Sequence, residues 1–236
     1  MKPVIRIFTP AVLMFAFVAF ASAAQRQETR AVSGFNAVSL SAPINVELIQ
    51  GDIESLALEG EEAALADLET VVENGKLKIQ TRSHFEVAGM NKVRARLFVK
   101  SVEALSIAGS GDIKAASLAG KSFKVSIAGS GDLRVDALTA TDVHVSIAGS
   151  GNALLAGKAD TVATSIAGSG DMKAGKLESR HSKISIAGSG DAMLWARDEI
   201  EVSIVGSGDV RYYGDPAIKR SVLGSGSVKR IAATPS

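Results

Sequence analysis

Five aspartates recur along this 236-residue chain at nearly constant spacing: Asp112, Asp132, Asp171, Asp191 and Asp209, with Asn152 and Ser227 filling two further places in the series. Carboxylates in such a series could pair for acid–base work, hold a divalent cation, or satisfy N–H groups of turns. On stacked rungs about 4.8 Å apart, two carboxylates repel by roughly 1 kcal/mol in bulk water and by several times that when partly buried, which a cation would relieve. Calcium-binding solenoids, however, use a nine-residue G-G-x-G-x-D repeat with more acceptors per turn. Here the spacing between successive aspartates is about twice as long, and Asn or Ser can replace them. Turn capping is therefore the expectation, and no metal is assigned.

Other chemistries lack their parts. GDMKAGKL at 170–177 has phosphate-loop spacing but places Leu177 where a Ser or Thr must hold magnesium, and Gly120-Lys121-Ser122 lacks the upstream glycine. The Gly-Ser-Gly triplets do not continue into G-x-G-x-x-G, so a dinucleotide fold and its cofactor are not supported. Hydrolysis needs a base beside a nucleophile. The histidines are His84, His144 and His181, and the column neighbours expected for His144 are Lys124, Ala163, Lys183 and Glu201, an ordinary solvated surface. No catalytic, cofactor or metal residues are assigned. The alternative is a carbohydrate-active enzyme, a polysaccharide lyase or hydrolase, on the same scaffold, since fold does not imply function.

The elements that position these residues follow from one phrase. SIAGSGD stands at 106–112, 126–132, 165–171 and 185–191, with close variants at 146–152, 203–209 and 221–227. A period of about 18–20 residues suits a coil of a parallel β-solenoid rather than a helical repeat. Strand alternation turns Phe123, Val125 and Ile127 inward, and Leu133, Val135 and Leu138 follow after the Gly129-Ser130-Gly131 corner. Three short sides and three bends per coil result. Ile107, Ile127, Ile147, Ile166, Ile186, Ile204 and Val222 then form one aliphatic stack, and only stacking completes the core. Glycine repeats because a corner needs backbone angles that a β-carbon penalises.

Outward positions make a face. A column of Ser126, Ser146, Ser165, Ser185 and Ser203 runs beside Ala108, Ala128, Ala148, Ala167, Ala187, Val205 and Leu223, a flat strip about 30 Å long over seven rungs. This serine column is the candidate binding face, suited to a glycan, an extended surface or another copy of the chain.

The remaining segments bound the setting. Lys2 and Arg6 precede an apolar run from Ile7 to Phe20 and an Ala21-Ser22-Ala23 cleavage pattern, so residues 1–24 read as a secretory signal peptide. Losing Lys2 and Arg6 leaves 24 of the 26 basic residues against 25 acidic ones, which gives no electrostatic case for nucleic acid. The absence of cysteine excludes disulfides and thiol catalysis. No later segment is apolar enough to span a membrane. Residues 25–33 are polar and read as a disordered lead-in. FNAVSL, INVELI, IESLALEG and KLKIQ alternate as strands, while EEAALADLETVVENG places Ala64, Leu65, Leu68, Val71 and Val72 at helical spacing before Asn74-Gly75.

With GFNAVSLSAPINVELIQGD, EEAALADLETVVENGKLKI and the SIAGSGD corners, the chain resembles the auto-transporter adhesin head GIN domain family, bacterial exported domains of unassigned function. The resemblance covers about residues 32–231 and implies a right-handed parallel β-helix in the envelope or at the cell surface; it carries over no catalytic or ligand residues. After Ile231 only AATPS follows, so no translocating barrel, sorting signal or C-terminal anchor is expected. The fold expected is all-β: a right-handed parallel β-helix, a β-solenoid of about 18–20 residues per coil, with a short α-helix in the N-terminal segment. Residues 34–104 form its capping part and 105–231 its repeated coils. The function expected is non-catalytic adhesion or surface and polysaccharide binding by an exported periplasmic or cell-surface protein, without cofactors. Its partners would be a polysaccharide, another envelope component or a second copy. Arg220, Lys229 and Arg230 read as a charged cap on the last coil, whose strand edges would otherwise invite pairing.

Overall fold

The structure, a computed structural model, describes residues 25–83 and 88–235. The segment read as a signal peptide and His84 lie outside the described residues. The first strands are β1 (Gln25–Arg30), β2 (Ala37–Ser41), β3 (Asn45–Gln50) and β4 (Ser55–Glu61). A helical stretch α1 (Glu62–Asp67), β5 (Leu68–Glu73), β6 (Lys76–Thr81) and β7 (Arg94–Val99) follow. The coils are built from β8 (Ala104–Gly109), β9 (Asp112–Ala115), β10 (Leu118–Ala119), β11 (Ser122–Gly129), β12 (Leu133–Gly149), β13 (Ala153–Gly168), β14 (Met172–Gly188), β15 (Ala192–Gly206), β16 (Val210–Tyr213), β17 (Ala217–Gly224) and β18 (Val228–Ala232).

Strands β12 to β15 each run round most of a coil and pair in parallel with the coils before and after. The register pairs each repeat with the next, residue for residue. Ile107 lies opposite Ile127, Ile127 opposite Ile147, Ile147 opposite Ile166, Ile166 opposite Ile186, Ile186 opposite Ile204 and Ile204 opposite Val222. The stack reaches further than the repeat, because Leu40 pairs with both Ile107 and Ile79. Phe123, Val125, Ile127, Leu133, Val135 and Leu138 are all buried, as strand alternation requires. A parallel sheet rolled into coils thus buries one aliphatic interior and leaves every second side chain outside.

The corner depends on glycine for two separate reasons. Gly129 and Gly149 have φ of +123° and +125°, a region that L-residues with a β-carbon enter only at a cost. At Gly151 the conformation is ordinary, but a β-carbon would collide with the carbonyl oxygen of Gly131 and lie 2.7 Å from Ile127 Cγ2. Hydrogen bonds close the gap: the N–H groups of Ser150 and Gly151 donate to Gly129 O at 2.8 and 3.0 Å.

The N-terminal part departs from the sequence reading in two places. Residues 25–33, expected to be a disordered lead-in, include β1, which pairs antiparallel with β4 along its whole length. Arg30 holds it there, its guanidinium donating to Leu65 O at 2.8 Å and Leu68 O at 2.7 Å. The helix expected through Val72 lasts only six residues, and Leu68–Glu73 forms β5, antiparallel to β6. Leu68 is buried in β5, and that strand pairs the edge of β6 that does not face β2, where a helix would give its backbone groups no partner. At this end β4 and β7 are likewise antiparallel. Among the described residues the opposite end has no such cover: β17 is exposed throughout, with Ile218, Val222 and Leu223 among the exposed hydrophobics.

Candidate functional site

The aspartate series is a clamp between rungs. Asp112 Oδ1 accepts from the backbone N–H of Asp132 at 2.9 Å, and Asp132 Oδ1 from that of Asn152 at 2.9 Å. Asn152 Oδ1 accepts from Asp171 at 3.2 Å, Asp171 from Asp191 at 3.0 Å, and Asp191 from Asp209 at 2.9 Å. Asp209 ends the series by accepting from both the N–H and the hydroxyl of Ser227, at 2.9 and 2.7 Å. Those two donors, hydroxyl first, hold the Asp209 carboxyl below its ordinary value of 3.8. Asn and Ser fit the series because the position needs a side chain that bonds its neighbouring rungs, not a charge. Among the described residues no group of three or more His, Asp or Glu is placed to hold a metal ion.

The serine column is continuous. Ser106, Ser126, Ser146, Ser165, Ser185, Ser203 and Ser221 lie opposite one another in register, and Ser146, Ser165, Ser185 and Ser203 are exposed. His144 and His181 also face outward. His144 stands between Lys124 and Ala163, and His181 between Thr161 and Glu199. Nearby, Lys183 bridges Glu201 at 2.9 Å and Lys219 bridges Glu199 at 2.6 Å. The Lys219 ammonium lowers the pKa of Glu199 and has its own raised in return. These are surface ion pairs between rungs, and neither histidine is joined to a serine by a hydrogen bond among the described residues.

A concave site lies on another side of the coil. A groove of about 970 Å³ crosses the sheet from β1 to β14. Its floor is a lattice of two outward columns, set by ladders whose sequence order is scrambled. In one column Arg96, Glu47, Lys114 and Arg134 lie side by side, on β7, β3, β9 and β12; in the other Arg94, Asn45 and Asp112 do, with Asp132 on the next rung. Residues two apart on a strand point the same way, so the two columns stand about 7 Å apart. Both columns are therefore mixed in charge: Glu47 interrupts the basic row of Arg96, Lys114 and Arg134, and Arg94 stands between Glu59 and Asn45 at one end of the row that continues into the aspartate clamp. The sequence singled out the aspartates as turn caps but not as links between rungs, and it did not show the groove, because Arg94, Asn45 and Asp112 become neighbours only through the β7–β3–β9 order. The alternation of VRARLFVK, which turns Arg94 and Arg96 to one face, was the one local signal.

A family model described as "Putative auto-transporter adhesin, head GIN domain" matches residues 34–216. Among solved structures, a "putative adhesin" from Bacteroides fragilis is 24% identical with a TM-score of 0.85, over 89% of this chain and 98% of that one. A "putative lipid binding protein" from Parabacteroides distasonis is 26% identical with a TM-score of 0.69, over 88% and 96%. A "putative adhesin" from Parabacteroides merdae is 20% identical with a TM-score of 0.70, over 88% and 96%. No curated protein matches the chain.

Proposed function

Because the chain belongs to the auto-transporter adhesin head GIN domain family, we propose that it is an exported, non-catalytic surface-binding solenoid of the bacterial envelope, and that its ligand is a polysaccharide lying across the rungs. The observation that carries this reading is the groove, about 970 Å³ in volume and lined by side chains from eight strands. Such a site offers many weak polar contacts along an extended chain. Catalysis would instead need a base poised on a nucleophile or an isolated pair of carboxylates, and the aspartates beside the groove hold backbone N–H groups of the next rung. The hydroxyls of Ser126, Ser146, Ser165, Ser185 and Ser203 supply a flat second face for contact with an extended surface. Export through the N-terminal apolar segment would put the protein in the periplasm or at the cell surface.

The test is incubation with a panel of envelope and plant polysaccharides, followed by pull-down and product analysis. Retention without products is the expected result. Release of reducing ends or of unsaturated sugars would overturn the non-catalytic reading in favour of a carbohydrate-active enzyme.

A further inference from the structure

The groove carries a statement about the charge of its ligand. Two of the cations along it have partners: Arg134 donates to Asp136 at 2.6 Å, and Lys173 lies 3.7 Å from Asp171. Arg94, Arg96 and Lys114, all exposed in the groove, have no carboxylate within 4.0 Å among the described residues. Arg94 and Arg96 point the same way from β7, about 7 Å apart, and Lys114 stands two strands from Arg96, about 10 Å away. Guanidinium groups present planar forks of donors that match carboxylate and sulfate oxygens. In the row that contains Arg94, Asp112 and Asn152 each accept one backbone N–H and Asp132 accepts two N–H groups of Asn152, all through Oδ1, so acceptor capacity remains for the donor hydroxyls of a sugar.

We propose that the groove takes an acidic polysaccharide, with carboxylate or sulfate groups held by Arg94, Arg96 and Lys114 and hydroxyls of the same chain by Asp112, Asp132 and Asn152. Glu47, between Arg96 and Lys114 in the ladder, Glu59, opposite Arg94, and the aspartate column repel a dense polyanion. The site therefore selects a polymer whose anions are spaced out, about one for every two rungs. This inference rests on the reading of the chain as a polysaccharide-binding protein.

The experiment measures binding of the purified chain to polygalacturonate, dextran sulfate and neutral dextran by affinity electrophoresis, in low and in high salt. The same measurement is made on a variant carrying Arg94→Gln, Arg96→Gln and Lys114→Gln, whose folding is checked by its thermal transition. The proposal expects retention by polygalacturonate or dextran sulfate, weakened at least tenfold by salt or by the triple substitution, and little retention by dextran. Polygalacturonate alone would identify carboxylate as the anion; dextran sulfate alone, sulfate. Equal retention by neutral and acidic polymers, unchanged in the variant, would overturn the acidic ligand while leaving polysaccharide binding intact. No retention by any of the three polymers, with none in the wider panel, would overturn both readings. If the triple variant does not fold, Lys114→Gln alone with the salt series decides, since loss of one of three cations must still weaken acidic retention.

Discussion

Asp132 Oδ1 accepts both the backbone N–H and the side-chain amide of Asn152, each at 2.9 Å, from one coil to the next. One side chain thereby fixes the height of the next coil at the corner where the strand ladder is interrupted. Asp132→Asn keeps an acceptor oxygen and is expected to fold with little change. Asp132→Ala removes it and should cost about 1 kcal/mol, read as a lower midpoint in urea unfolding. Equal midpoints for the alanine variant and the parent would show that the clamp contributes nothing.

Glycines in the turns divide by mechanism. Gly51 has ordinary backbone angles and open space around it, so Gly51→Ala should be nearly neutral. Gly34 has φ +76° but no atom within 4 Å of a β-carbon, so Gly34→Ala should cost about 1 kcal/mol for the angle alone. Gly151→Ala drives a β-carbon into the Gly131 carbonyl and should cost the most, at least about 3 kcal/mol or loss of the folded state. Thermal denaturation of the three variants tests that order.

Inside the coil, Thr164 Oγ1 is buried without a hydrogen-bond partner among the described residues, in a column where its neighbours are Val145 and Ile184. Thr164→Val keeps the shape and removes the orphaned hydroxyl. A gain of about 1 kcal/mol is expected in chemical denaturation. A loss of stability would mean that the hydroxyl has a partner in solution.

At the uncovered end, Arg220 occupies the inward column below Val202, beside exposed Ile218 and Val222. A charge there opposes the stacking of another molecule on the open strand edge. Arg220→Val should therefore promote end-to-end association, seen as a rise in mass by light scattering at rising concentration. An unchanged mass would count against this role.

The repeated coils were legible because each inward Ile, outward Ser and corner Gly recurs at one period, so the sequence states the register directly. The N-terminal part was not. Leu68, Val71 and Val72 satisfy helical spacing and also fit a strand, and the choice was made by the free edge of β6. QRQETR in β1 has no apolar face, and it is held by its full ladder with β4 and by Arg30 reaching the carbonyls of Leu65 and Leu68. The groove was hidden for a different reason. Its cations are local to β7 and β9, but the strand between them, β3, belongs to an earlier part of the chain, with β4, α1, β5 and β6 intervening before β7.

All of these readings require that successive coils lie in register, and spin-label distances test that most directly. The chain has no cysteine, so Ser126→Cys can be paired in turn with Ser185→Cys, Ser203→Cys and Ser221→Cys. The stack predicts separations that grow by about 4.8 Å for each added rung, although a whole coil of chain is added each time. Distances that do not increase in equal steps, or that spread over a broad distribution, would contradict the stacked solenoid.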